Sequence, residues 1–509
     1  MLTYCVTSSL EKCLPDSETT AFAPLKEISV LKNQKLSFQF IYREDQSAMR
    51  YFLTPSIEGV CADAVTFRSV EYIPCSVPAY GGQSDEHYVT QKPGLLPDLL
   101  KPLGVDGVHV YLNMTRSLWI DIDAAALKIG ENKITLRMAD PKTGETVCEE
   151  TLTVLCINAA LPEQTLIHTE WFHTDSLATY YRVDVFSEEY WRIVENFMRA
   201  AYGMGVTMIL TPVFTPPLDT KVGGERLTVQ LVDVTRKNGV YSFAFDKLDR
   251  FVAMAKRVGM RYFEIAHLFT QWGAEHAPKI MATTENGYER IFGWETDAGS
   301  SEYRAFLVAF LPALRAHLRE LGIHDNCYFH ISDEPNEYHL ESYRIARNQV
   351  IDLLDGCKII DALSRYKYYE EGLVVHPVPS VGHIQDFLDN NVPDLWTYYC
   401  CYPGVDLTNR FMAMKSARTR YLGTQLYYYD IKGFLHWGFN FYFTQFATEP
   451  VDPFLDASGN VLRQTKRAYS PASSRSSDTY INDFFLYVTP CLKAFSTNCI
   501  KSNEGTSTP

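Results

Sequence analysis

The residues of this chain best suited to chemistry fall in one pentapeptide. Ile331-Ser332-Asp333-Glu334-Pro335 sets two carboxyl side chains next to each other at the end of an apolar run, NCYFHISDEP. Successive residues of a strand point to opposite faces, so adjacent acids can share a pocket only where the strand turns into its loop. Pro335 suits such a place, since it ends the strand and is expected to hold Glu334 extended. Two acids crowded into a partly dry pocket repel each other, and one of them then keeps a raised pKa and its proton near neutral pH. That is the property of a general acid, the group that glycoside cleavage requires. The competing reading is that the pair caps the helix that follows, NEYHLESYRIARNQVIDLL, where carboxylates near the N-terminus are favoured by the helix dipole.

Positioning such a pair is a task for the elements around it. Beyond the segment NAALPEQT, strands alternate with helices. The strands are TLIHTEWFH, VTMILTPVF, MRYFEIAHLF, NCYFHISDEP, CKIIDAL, LVVHPV, DLWTYYCCYP and GFLHWGFNFYF. Helices are expected over SEEYWRIVENFMRAAYGMG, with Ser187 as N-cap and Tyr190, Ile193, Val194 and Phe197 on one face, then around Leu248–Ala255, over SEYRAFLVAFLPALRAHLRELG and over NRFMAMKSARTRYLG. Eight such units predict a (β/α)8 TIM barrel. An open doubly wound sheet would want a glycine-rich turn after its first strand, and none is present. In a barrel the C-terminal strand ends face the reaction. The groups placed there are Glu170, Trp171 and His173, then His267 and Trp272, Asp333 and Glu334, His376, Tyr398, and Trp437 with Asn440.

The first 160 residues carry a different period. LSFQFIYR puts Leu36, Phe38, Phe40 and Tyr42 on one face, and GVHVYLN, SLWIDID and NKITLRMAD alternate likewise. The last of these continues through the turn DPKTGE into a further strand, as an antiparallel β-sandwich would close. The expected domains are therefore an N-terminal sandwich at 1–160, a barrel at 163–456, and an atypical tail at 457–509. The tail is Ser-rich and without apolar period, and it reads as loop or disorder. A multidomain chain also fits the length of 509 residues.

Composition removes whole classes of function. A formal net charge of −14 leaves no basic face for nucleic acid or an anionic membrane. No apolar run reaches membrane-spanning length and the N-terminus lacks a leader pattern, so a cytoplasmic location is expected. The twelve cysteines form no CxxC pair, so neither a metal nor another cofactor is expected, and most read as small buried hydrophobes. Cys400 and Cys401 read as wall residues near the site.

The stretch from Asn326 to Asp456, with NCYFHISDEP, VPDLWTYYCCYPG, GFLHWGFNFYF and DPFLD, resembles glycoside hydrolase family 123, the β-N-acetylgalactosaminidases, and a related uncharacterised bacterial domain. The order of sandwich, linker and barrel extends the resemblance over roughly residues 20 to 456. It implies a retaining, substrate-assisted hydrolase of an N-acetylhexosamine-containing glycan, in which the sugar's 2-acetamido oxygen attacks the anomeric carbon. On that reading Glu334 is the acid and then the base, and Asp333 accepts the acetamido N–H. Tyr398 or Tyr399 would donate to the acetamido carbonyl, Trp272 or Trp437 would wall the sugar, and His267 and Asn440 would bind hydroxyls. For the aromatic residues the alternative is barrel packing. Family members continue into glycine-rich loops and a last helix, whereas this sequence continues as a truncated or frameshifted end would. Two other readings stay open: a barrel hydrolase of another sugar with a distinct acid pair, and a non-catalytic glycan binder or degenerate homologue.

Overall fold

The computed structural model describes residues 2–46, 51–79 and 85–458. The expected tail at 457–509 therefore lies almost wholly outside the described residues.

The N-terminal region is built from two five-stranded sheets. One runs in the order Leu2–Ser8, Lys35–Glu44, Arg116–Asp123, Val65–Cys75 and Gly94–Pro102; the other runs Glu27–Leu31, Thr146–Ile157, Gly130–Ala139, Tyr51–Glu58 and Val108–Val110. Strict alternation explains how they meet. Ile134, Leu136 and Met138 of one sheet share a core with Phe38, Phe40, Tyr42 and Ile120 of the other. The DPKTGE turn forms as read, with Asp140 Oδ1 accepting from Lys142 N at 2.7 Å and Gly144 at φ 72°. Such a φ is costly for a residue with a Cβ.

The second region is a barrel-like parallel sheet of eight strands: β1 Ile167–Glu170, β2 Met208–Thr211, β3 Tyr262–Ile265, β4 Cys327–Phe329, β5 Lys358–Ala362, β6 His376–Val378, β7 Trp396–Tyr399 and β8 Gly433–His436. All eight lie inside the runs named from sequence. Hydrogen bonding orders them β6-β5-β4-β3-β2-β1-β8-β7. The two ends meet at a parallel bridge between Ser380 and Tyr398. Gly433 is required where β8 starts, because a Cβ there would lie 2.0 Å from the Trp396 ring.

Helices Glu188–Gly203, Asp246–Val258 and Ser301–Glu320 cover the sheet with the apolar faces read from their period. Ser187 caps the first, accepting from Tyr190 N at 3.2 Å. The helix expected over NRFMAMKSARTRYLG starts only at Ser416. Residues 409–415 are drawn across the barrel mouth instead, by Asn409 Nδ2 donating to Cys400 O and Pro403 O and by Arg410 pairing with Glu170. A hairpin, Asp233–Lys237/Val240–Ala244, precedes the helix Asp246–Val258. A second hairpin, Ile280–Thr284/Gly287–Phe292, joins it in a four-stranded sheet. Its Asn286-Gly287 turn is a hairpin signal that the sequence did carry. Among the described residues, the only helical element after β8 is the short turn Gln445–Ala447, and no helix is long and apolar enough to cross a membrane.

Candidate active site

Asp333 and Glu334 sit in the loop four and five residues beyond the end of β4, both lining a cavity of about 490 Å³ at the barrel mouth. The loop's path is unusual. Glu334 has φ +44° and Trp272 φ +57°, in a region that non-glycine residues enter at a cost of about 1–2 kcal/mol. The expectation that Pro335 holds Glu334 extended is thus corrected. Bonds to neighbouring strands outweigh the local preference: Glu334 N donates to Ala362 O at 2.9 Å and Trp272 N to Asp333 O at 2.8 Å. This turn brings both carboxyls into one pocket, and strain of this kind concentrates at functional sites.

The electrostatics separate the two acids from ordinary surface carboxylates. Burial raises the Asp333 pKa far above the usual carboxylate range, with Glu334 adding to the rise and His330 opposing it. Burial also raises Glu334, against a hydrogen bond from the Tyr398 hydroxyl to its Oε1. A helix-capping role does not fit, since the next turn, Glu337–His339, is capped by Asn336.

Of the other residues singled out by sequence, Trp272, Tyr398 and Trp437 line the cavity. So do Trp171, His173, Cys400 and Cys401. Three expected sugar contacts are placed elsewhere. His267 is fully buried, its ring stacked 4.1 Å from that of His330 and both nitrogens without a hydrogen-bond partner. Tyr399 is buried against Phe434 and His436. Asn440 clamps the backbone of His173, accepting from its N at 2.8 Å and donating to its O at 3.3 Å. Tyr399 follows the cavity-lining Tyr398 in β7 and so faces the other side of the strand, whereas His267 and Asn440 lie beyond the ends of β3 and β8, where loop packing rather than strand alternation places them. His376 opens β6 rather than closing it, which puts it at the far end of the barrel from the mouth.

Several functional candidates escaped the sequence reading. Asp219 lines the cavity, with a pKa raised by burial and its Oδ2 accepting from Phe446 N at 3.1 Å. Two buried ion pairs build the walls. Arg410 reaches Glu170 at 2.7 Å and His436 Nδ1 at 2.6 Å, and Arg226 holds Asp175 at 2.7 Å and His173 Nδ1 at 3.0 Å. Burial and then the neighbouring guanidinium lower both histidines, His173 to about 3. Each imidazole is therefore neutral and accepts at Nδ1. Beneath the acids runs a third chain. Glu264 accepts from Thr169 Oγ1 at 2.5 Å and Trp171 Nε1 at 2.7 Å, and meets His330 Nε2 at 2.5 Å. His330 Nδ1 lies 3.3 Å from Asp361, whose carboxylate also accepts from Ile331 N, Ser332 N and the Tyr343 hydroxyl. The signal for this chain was present, as charged residues inside apolar barrel strands: Glu264 in MRYFEIAHLF, His330 in NCYFHISDEP and Asp361 in CKIIDAL. Among the described residues no group of three or more His, Cys, Asp or Glu is arranged to hold a metal ion.

Known proteins resemble this chain in sequence and in fold. The family model "Glycoside hydrolase 123, catalytic domain" matches residues 171–464. Among solved structures, a family 123 glycoside hydrolase from Clostridium perfringens, described in connection with glycolipid glycan hydrolysis, is similar at a TM-score of 0.68. It has 14% identity, over 89% of this chain and 83% of that one. A family 39 glycoside hydrolase from Bacteroides cellulosilyticus aligns over 97% of this chain and 83% of its own, at 11% identity and a TM-score of only 0.31. No curated protein matches.

Proposed function

Given that the chain belongs to glycoside hydrolase family 123 and is a glycoside hydrolase, we propose that it is a retaining β-N-acetylhexosaminidase, with β-linked N-acetylgalactosamine as its sugar and the substrate's own 2-acetamido group as nucleophile. The observation that carries this reading is the adjacency of Asp333 and Glu334 on one strained turn, both facing the same cavity. Neighbouring acids are poorly placed as the facing pair, about 5 Å apart, of an ordinary retaining enzyme. They suit a reaction in which one handles the leaving oxygen and the other the acetamide.

In this scheme Glu334, its proton retained by burial, donates to the glycosidic oxygen as the acetamido oxygen attacks the anomeric carbon. The carboxylate so formed then takes a proton from the water that opens the bicyclic intermediate. Asp333 accepts the acetamido N–H and stabilises the positive charge that develops there. Trp437 and Trp272 supply apolar walls for the sugar ring. Tyr398, whose hydroxyl donates to Glu334, is close enough to the acid to serve the acetamido carbonyl of a bound sugar. We take residues 163–456 as the catalytic unit and 1–160 as its supporting β unit.

One observation favours a second reading. Asp219 lines the same cavity from the loop after β2, and could pair with Glu334 in a conventional two-carboxylate hydrolysis of a sugar without an acetamide. Aryl glycosides separate the two. Release of the chromophore from the aryl N-acetyl-β-galactosaminide, and none from the plain β-galactoside, supports substrate assistance; equal turnover of both refutes it. Full activity in Glu334→Gln would remove the acid assignment. Glycan binding without turnover across the panel would select the non-catalytic reading. A glycolipid glycan belongs in the panel, as the substrate class named for the Clostridium perfringens protein.

A further inference from the structure

The proposed reaction makes a demand that the pocket resists. Asp333 must carry a negative charge to steady a cationic intermediate, yet burial and the carboxyls of Glu334, Asp361 and Asp219 all oppose its ionisation. The strongest charge in its favour comes from His330, three residues earlier on the same segment. We propose that His330 is a positioning residue for Asp333: an imidazolium fixed between Glu264 and Asp361, whose positive charge keeps Asp333 anionic when the pocket is closed by sugar.

The geometry supports a permanently charged ring. Both imidazole nitrogens face carboxylate oxygens, Nε2 at 2.5 Å from Glu264 and Nδ1 at 3.3 Å from Asp361. Carboxylates only accept, so each nitrogen must carry a hydrogen. Burial raises the Asp361 pKa, and the bond and charge of His330, the Tyr343 hydroxyl and the backbone N–H donors oppose that rise and favour its carboxylate. Glu264 is supplied with donors by Thr169 and Trp171. All three members are completely buried, so the cation is unscreened by water. Two rings pack on His330: Trp171, edge-on at 6.3 Å, and His267, stacked at 4.1 Å, which burial and the neighbouring cation keep neutral. Burial alone would discharge His330; the bonds to Asp361 and Glu264 overcome it and raise its pKa to about 9. The chain also fixes position, since the Asp361 carboxylate grips the two peptide N–H groups that lead into Asp333.

Two measurements test this, and the first does not depend on the proposed substrate. Nitrogen-15 NMR of histidine-labelled protein, assigned by comparison with His330→Gln, is expected to show His330 doubly protonated at pH 7. A neutral His330 at pH 7 overturns the proposal, whatever the enzyme cleaves. The second rests on the substrate-assisted reading and compares pH profiles of kcat/KM on the aryl N-acetyl-β-galactosaminide. His330→Gln is expected to move the acid limb to higher pH, with a loss of about tenfold at the acid end for each pH unit of displacement and recovery toward alkaline pH. A uniform loss at every pH, or an unmoved limb in an active variant, overturns the proposal. Should His330→Gln fail to fold, Glu264→Gln weakens the hold on the same proton and is expected to displace the limb in the same direction. If the aryl substrate is not cleaved at all, the reading of the reaction has failed, while the NMR result still decides the charge of His330.

Discussion

Substituting Asp175 by Asn tests the electrostatic account of the cavity wall most sharply. The Arg226 guanidinium donates to both Asp175 oxygens at 2.7 Å, and the two side chains are only 2% and 1% exposed. Asn keeps the shape and removes the charge, and arginine cannot escape by losing its proton. Removing one partner of a buried pair costs about 3–5 kcal/mol. The lower end applies here, because Arg226 keeps its bonds to Leu218 O at 2.8 Å and His173 Nδ1 at 3.0 Å and its place over the Phe441 and Phe443 rings. For a barrel of this size, about 3 kcal/mol corresponds to a Tm lower by about 6 °C, at roughly 2 °C per kcal/mol. The assay is a thermal melt followed by near-ultraviolet circular dichroism. A control comes from the same physics: the double variant Asp175→Leu with Arg226→Met removes both charges and is expected to recover most of the loss. A Tm within about 2 °C of the parent for Asp175→Asn, or a double variant no better than the single one, would refute the reasoning.

Three further outcomes are expected. Tyr398→Phe removes the hydrogen bond that favours the Glu334 carboxylate, so the alkaline limb of the pH–rate profile moves to higher pH; an unmoved limb with a raised KM would mean that Tyr398 serves only the acetamido group. Asp333→Asn trades activity for stability. A folded-state pKa raised by burial and by Glu334 makes this group stabilising below its unfolded pKa of about 4 and progressively less so as pH rises through the raised value. The variant should therefore melt above the parent at pH 7 but not at pH 3.5, while kcat falls by about a hundredfold or more; no gain at pH 7 would count against the raised pKa. Trp437→Ala, at a half-buried wall position, is expected to raise KM about tenfold with little change in Tm, and an unchanged KM would remove Trp437 from the sugar site.

Much of the scaffold was legible because apolar periodicity reports which face of an element is buried. It located the eight barrel strands, the Ser187-capped helix and the paired strands of the N-terminal sheets. Adjacent acids before a proline, at the end of an apolar run, marked the candidate site. Periodicity says less about depth. His267, Asn440 and Trp437 all look like rim residues in sequence, yet Trp437 alone lines the cavity. Beyond the strand ends, loop packing rather than strand alternation places a side chain.

The chain's one-dimensional pattern thus determined the order of elements and the place of Asp333 and Glu334. Only the tertiary structure decided the conformation and charge of that pair. The left-handed turn at Glu334 is held by a carbonyl of another strand, at Ala362. Arg410 and Glu170, 240 positions apart, meet across the mouth, and Asp219 faces the acids from the loop after β2. Ionisation depends on distance and burial rather than on sequence neighbours. His330 reads in sequence as an ordinary residue of a buried strand, and becomes a cation only because folding closes Glu264 and Asp361 around it.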